Sequence, residues 1–330
     1  MQIKGGRFLI TGGASMIGAH ITEHLLKAGA REIVLFDNYS LASPEGIGDL
    51  LQHPQVKLVR GDILRINELY DNLEATDGVF AVAGFLTLPL SLNPSLGVAV
   101  NVQGMLNVFD ACRYRKVGKV VFSSSIAVYG EPTVDIIDED TSWTWSRLQP
   151  GAALYASSKI MGETFGKLYH DRYGVKSISL RYSSVYGERQ HLRAVNSVYI
   201  VETYDRLKRG ERPVIPDDGR EVHDYIHVAD VARANVMAME SDVSRESFNV
   251  ATGTATSLNQ LVQILQKITG TNLQPEYKTP PGKIRAAVST KLDFSVARIE
   301  RLLGWKAQIS FEEGIRRLVA WRDQEQGKVA

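Results

Sequence analysis

One cysteine in 330 residues is the first shortage in this chain. Cys112 has no second thiol to pair with, so an intrachain disulfide and a thiolate metal cluster are excluded and a reducing, cytoplasmic setting fits. Its place in the apolar run 106–112 marks it as a buried, inert thiol. An excess of charge of either sign is missing too. Lys and Arg number 38 against 37 Asp and Glu, a formal net charge of +1. Without a cationic surplus to neutralise phosphates, nucleic acid and the membrane surface are not expected partners. No uninterrupted apolar run reaches the ~18 residues needed to cross a bilayer. The amino terminus opens on a strand pattern rather than on a signal peptide. Internal repeats and low-complexity stretches are also lacking. What remains, 44% apolar and 23% charged, is the composition of a globular protein long enough for a large core and two lobes.

The first organised stretch is Arg7-Phe8-Leu9-Ile10, then Thr11-Gly12-Gly13-Ala14-Ser15-Met16-Ile17-Gly18, then a helical run over 19–28 closed by Gly29. In this strand, glycine turn and helix, Gly12 permits the tight turn and Gly18 close helix packing, and the first amides of the helix can hold a pyrophosphate. Ser15 stands where the usual spacing has its middle glycine. A second strand, Glu32-Ile33-Val34-Leu35-Phe36-Asp37, ends on a carboxylate suited to a ribose diol and repellent to a 2′-phosphate, which selects NAD over NADP. The same helix contains His20-Ile21-Thr22-Glu23-His24, the spacing of one metalloprotease group. With the helix engaged behind the phosphate turn, its imidazoles read as solvated and no third ligand evident, no metal is expected.

Further strands end in Asp62-Ile63, a candidate adenine contact, and in the small residues Ala83-Gly84, which let a cofactor lie close. Lys119-Val120-Val121-Phe122 leads into Ser123-Ser124-Ser125. Strands alternating with helices at this interval predict an α/β fold, a Rossmann-type doubly wound parallel sheet with its ligand beyond the carboxyl ends of the strands. A serine hydroxyl there can donate to a substrate oxygen. Tyr155-Ala156-Ser157-Ser158-Lys159 places a phenol and an ammonium one helical turn apart on one face. The free phenol titrates near ~10, and a neighbouring ammonium favours the phenolate, a base for an alcohol proton.

Taken together, Thr11 through Gly18, Asp37, Asp62-Ile63, Asn101-Val102-Gln103-Gly104, the run 122–130, Tyr155 through Lys159, the run 180–187 and the run 224–232 resemble the extended short-chain dehydrogenase/reductase family, in its NAD-dependent nucleotide-sugar epimerase and dehydratase branch. The resemblance spans nearly the whole chain. It implies Ser125, Tyr155 and Lys159 as catalytic residues. For NAD it implies a binding set of Gly12, Ser15, Met16, Ile17, Gly18, Asp37, Asn38, Asp62, Ile63, Ala83, Gly84, Asn101 and Ser123 together with Tyr155 and Lys159. It further implies a dinucleotide-binding domain of residues 1–183 and 224–251, with 225–251 returning to the main sheet. A smaller interleaved substrate lobe takes 184–223 and 252–330. A homodimer is expected through the helix beginning at Leu96 and the Tyr155 helix, with Phe165, Leu168 and Tyr169 on the shared face.

Three positions depart from that family's substrate pattern: Ser184 for an Asn, His223 for an Arg, and Pro281 before Gly282 for another Arg. The family residues grip the substrate's pyrophosphate, a task for guanidinium forks. Ser184, His223, Arg189, Arg220 and Arg285 are the expected substrate contacts here, with Arg193 a further nearby cation. Trp143 and Trp145 read as cover for the small core of their own loop. The function so implied is transient hydride transfer at a secondary alcohol of a nucleotide-sugar, most simply 4-epimerisation, because Ile126 and Ala127 after Ser125 lack the acid groups of a dehydratase. The competing readings are an NAD-dependent dehydrogenase or reductase of a polyol, hydroxy acid or ketone, and a non-catalytic NAD-bound regulator.

Overall fold

Strands covered on both faces need apolar side chains at odd and even positions alike. In the computed structural model, which describes residues 1–146, 148–190, 195–279 and 292–329, those runs become a seven-stranded parallel sheet of order β10-β6-β5-β4-β1-β2-β3. Its members are β1 (Arg7–Thr11), β2 (Glu32–Asp37), β3 (Val56–Arg60), β4 (Gly78–Ala81), β5 (Lys119–Ser125), β6 (Lys176–Tyr182) and β10 (Glu246–Val250). Alternation along each strand divides the core in two. Phe8, Ile10, Ile33 and Leu35 pack on one face with α1 (Met16–Lys27) and α8 (Val228–Glu240). Leu9, Val34 and Phe36 pack on the other with α2 (Ile66–Asn72), α5 (Met105–Tyr114) and α6 (Pro150–Tyr173). Cys112 is wholly buried in that second layer, where burial pushes its thiol far above the usual range.

Between β4 and α5 come α3 (Thr87–Leu92) and α4 (Pro94–Val98), and the helix expected from Leu96 is interrupted by a π-helical stretch over Ala99–Gly104. Asn101, buried within that stretch, accepts the Phe85 amide on its Oδ1 at 2.7 Å and donates from its Nδ2 to Phe85 O at 3.0 Å. Such wide turns frequently mark functional sites.

The smaller lobe is built from β7 (Ser184–Tyr186), β8 (Val214–Pro216), β9 (Val222–His227), β11 (Ala255–Ser257) and β12 (Glu276–Lys278), with α7 (Val195–Lys208), α9 (Leu258–Thr269) and α11 (Phe311–Val329), while α10 (Ala297–Leu303) packs back on the main sheet at β10. Here the expectation for 225–251 needs correcting. Tyr225, Ile226 and His227 belong to β9 in a separate three-stranded sheet, β11-β9-β7, and only β10 returns to the main sheet. Ile299 and Trp305, from the stretch assigned to the substrate lobe, pack into the first face of the main core, where Trp305 Nε1 donates to Asp230 O at 3.1 Å.

Two expectations for local environment also fail. His20 is not on a solvated face: it is 5% exposed, on a helix that packs against the sheet and beside α8, with its Nε2 3.7 Å from Glu188 Oε2. Trp143 and Trp145 stack on each other at the surface, 52% and 41% exposed, rather than covering a loop core. Among the described residues no helix is long and apolar enough to cross a membrane, and no three His, Cys, Asp or Glu are grouped to hold a metal.

Candidate active site

The carboxyl ends of β1, β2, β3 and β4 line one groove. At the first of them Gly12 takes φ +67°, and a Cβ added there would lie 2.9 Å from the Ala83 amide nitrogen. At Gly18 an added Cβ would meet the Gly12 and Gly13 carbonyls at 2.7 Å. Any side chain at either position would separate the turn from the strands it touches. Ser15 has a local task of its own as the N-cap of α1: its Oγ accepts the Gly18 amide at 3.2 Å and donates to Gly12 O at 2.6 Å. Met16 and Ile17 form the first turn of α1, whose opening amides have no intrahelical acceptor, and the turn carries no acidic side chain. An anion is favoured there by amides and helix dipole together.

Asp37 ends β2 at 8% exposure, its carboxylate accepting the Ala14 amide at 3.0 Å and the Tyr39 amide at 2.8 Å. Asn38 Nδ2 donates to Asp62 Oδ2 at 3.2 Å, which ties the ends of β2 and β3 together. The groove continues along Ser40, Leu41 and Ala42, then Asp62 and Ile63, and passes Ala83, Gly84, Phe85 and Val100. Gly84 sits against Asn101 and Lys159, so an added Cβ would lie 3.3 Å from Asn101 Oδ1 and 3.5 Å from Lys159 Nζ.

Beside Gly84 of the groove, β5 and α6 meet. Lys159 Nζ donates to Ser123 O at 2.9 Å, and Ser125, at the end of β5, stands close enough to Tyr155 to act on its phenol. Asn101 Nδ2 donates to Ser158 Oγ at 3.1 Å, fixing α6 from the other side. Tyr155 and Lys159 are each 7% exposed. Burial pushes the phenol up to about 12, with Ser125 drawing it partly back. It also draws the Lys159 ammonium down to about 8, with Glu163 opposing. In the free protein burial, not the ammonium, sets the direction of the phenol's shift. Lys159 Nζ is committed to the Ser123 carbonyl and stands 5.7 Å from the Tyr155 ring centroid.

Sequence reading missed the support behind this pair. Strand alternation turns Ser124 away from Ser123 and Ser125, and its Oγ donates to Glu163 Oε1 at 2.6 Å. Glu163 also accepts from Arg181 at 2.9 and 2.7 Å and from Ser247 at 3.0 Å. Burial alone would raise the Glu163 carboxyl, but its bonds to Arg181, Ser124 and Ser247 outweigh that and leave it below the ordinary carboxylate range. The available signal was spacing: Tyr155, Lys159 and Glu163 stand at successive four-residue steps on one helical face.

The run 8–251 matches the model of the NAD dependent epimerase/dehydratase family. The chain belongs to that family. It is 33% identical over 320 residues to a Methanocaldococcus jannaschii protein named provisionally as a UDP-glucose 4-epimerase, covering 95% of this chain and 97% of the relative. Against the UDP-glucose 4-epimerase of Mycolicibacterium smegmatis it is 30% identical over 318 residues, covering 95% and 97%. Among solved structures, the UDP-N-acetylglucosamine 4-epimerase of Methanobrevibacter ruminantium in complex with UDP-N-acetylmuramic acid superposes with a TM-score of 0.87 at 27% identity, covering 98% of this chain and 99% of that one. The Thermotoga maritima UDP-glucose 4-epimerase with UDP-glucose gives 0.86 at 29%, covering 97% and 99%.

NAD is the cofactor of this family enzyme, and the groove fits it. Glycines stand where a Cβ would strike backbone, an acid-free helix start faces the turn, and a buried carboxylate closes β2. The expected substrate residues of the epimerase/dehydratase fold are dispersed. Ser184 and His223 lie on β7 and β9 of the small sheet, and His223 Nε2 is 2.8 Å from Glu221 Oε1. Arg220 is a surface cation, its side chain 78% exposed and paired with Asp218. Arg189 is turned toward α1, bonded to Glu23 and Asp49. Pro281, Gly282, Arg285 and Arg193 fall outside the described residues.

Proposed function

We propose that this protein is an NAD-dependent 4-epimerase of a nucleotide-sugar, with Ser125, Tyr155 and Lys159 as its catalytic residues. The observation that carries the reading is the nearness of these three where β5 meets α6 beside Gly84 of the groove, with Ile126 and Ala127, not acids, following Ser125. UDP-sugars in the related epimerases point to the same substrate class. When bound, NAD supplies the hydride acceptor and donor. The chain's own part is proton management and orientation. Tyr155 takes the proton of the substrate hydroxyl and returns it to the oxygen at the end of the cycle, while Ser125 holds that oxygen through its hydroxyl. Lys159 keeps a cation beside the phenol, offsetting the charge that develops as the proton leaves.

Gly12, Ser15, Met16, Ile17 and Gly18 hold the pyrophosphate in this reading. Asp37 and Asn38 take the adenosine ribose, Asp62 and Ile63 the adenine, and Ala83, Gly84, Asn101 and Ser123 line the path to the nicotinamide. Ser184, His223 and Arg285 remain the substrate side. A homodimer through α4, α5 and α6 accounts for Leu96, Met161 and Leu168, exposed by 41%, 41% and 49%; Tyr169 belongs to the core instead, at 5%. The test is incubation with UDP-hexoses while NADH absorbance is followed. Interconversion of 4-epimers without net NADH is expected. Steady NADH formation from a free polyol or hydroxy acid, with no epimerisation, would replace this reading with the dehydrogenase.

A further inference from the structure

The segment joining β2 to β3 walls the adenosine end of the groove with Ser40, Leu41 and Ala42. Its entry is set by Tyr39 at φ +62° and by carboxylate and amide oxygens of Asp37 and Asn38, which accept the Tyr39 and Ser40 amides at 2.8 and 3.0 Å. Its exit is held from elsewhere. Arg189, three residues past the small-lobe strand β7, spends all five of its donors at this point. Nη1 donates to Gly46 O at 2.7 Å and to Asp49 Oδ1 at 2.9 Å, and Nη2 to Asp49 Oδ2 at 2.5 Å. Nε and the second Nη2 proton go to Glu23 Oε1 on α1 at 3.3 and 3.1 Å. The Arg189 backbone sits at φ +62°, a left-handed conformation that costs a branched or long side chain free energy and that the surrounding contacts must hold. Its neighbour Glu188 reaches back to His227 Nε2 at 3.1 Å, so the same short run is fastened to the small lobe on its other side.

We propose that Arg189 is a positioning residue for the cofactor: a clasp from the small lobe that holds the 40–49 wall closed over the adenosine half of the dinucleotide and slows its escape. This rests on the dinucleotide reading of the groove. A guanidinium suits the task where an ammonium does not, because one planar fork must bridge two carboxylates and a carbonyl at once. The test is NADH binding and release by the full-length chain, followed by fluorescence, with hydrogen exchange of the 39–50 amides. For Arg189→Ala we expect about tenfold weaker NADH binding, mainly through faster release, since the wall must then be ordered at the moment of binding. Arg189→Lys falls in between. Asp49→Ala removes the loop half of the clasp from a side chain that is 63% exposed, so it serves where Arg189→Ala fails to fold. The double variant is expected to lose little more than either single one, and faster exchange should be confined to the wall. NADH affinity within twofold of wild type in the folded variants, or unchanged exchange at 39–50, overturns the clasp while leaving the cofactor site standing. A wild-type chain that binds no NADH overturns both.

Discussion

Glu163→Gln is the sharpest probe of how the site is held. The carboxylate receives four hydrogen bonds: Ser124 Oγ and Arg181 Nε on Oε1, Arg181 Nη2 and Ser247 Oγ on Oε2. An amide has one acceptor oxygen, so whichever way it turns, an N–H of the side chain confronts an N–H of Arg181. The serines can rotate to accept; the guanidinium cannot. The variant also strips the counter-charge from Arg181, itself 6% exposed, leaving it one amide oxygen, Tyr129 Oη and Glu139 O as partners. Breaking a buried pair in this way costs about 3–5 kcal/mol. At about 2 °C per kcal/mol for a chain of this size, the unfolding midpoint falls by about 6–10 °C. The acid side gives an independent check. The folded carboxyl titrates below its ordinary value, so its contribution is present above about pH 4.5 and lost as pH falls through the folded value. Glu163→Gln should therefore flatten the acid limb of stability against pH. Urea unfolding across pH measures both, and a variant within about 1 kcal/mol of wild type at neutral pH would refute the account of this network.

Tyr155→Phe should bind NADH normally and lose about 10²–10⁴-fold in kcat, because only proton transfer is removed; an active variant would end the assignment of Tyr155 as the base. The Lys159 ammonium, drawn down to about 8 by burial, loses its charge as pH rises through that value, so kcat/KM should fall on the alkaline side near pH 8. A profile flat to pH 10 contradicts this. Gly18→Ala drives a methyl to 2.7 Å from two backbone carbonyls, and NADH binding should be lost in a calorimetric titration. Leu168→Glu should give monomers by light scattering if the α6 face is the dimer contact.

Much of this protein was legible in the sequence because local rules wrote it there. The apolar runs closed by Gly12 and Asp37 and the helix signal after Ser15 fix β1, α1 and β2 through turn sterics, capping and burial on both faces. The Tyr155 to Lys159 spacing fixes a shared helical face. Position in three dimensions was another matter. Nothing within residues 187–190 says that Arg189 turns to Asp49, 140 positions away, instead of to a substrate phosphate. Nor does a strand pattern say that β9 pairs with β7 and β11 rather than with the main sheet. Even the sign of the Tyr155 shift was decided by the fold: the sequence supplied an ammonium one turn from a phenol, and packing buried the phenol so that desolvation raises it. Sequence set the local chemistry, since periodicity and turn preference act over a few residues. Only the tertiary structure allotted partners, since long-range contacts are chosen by what else is packed beside them.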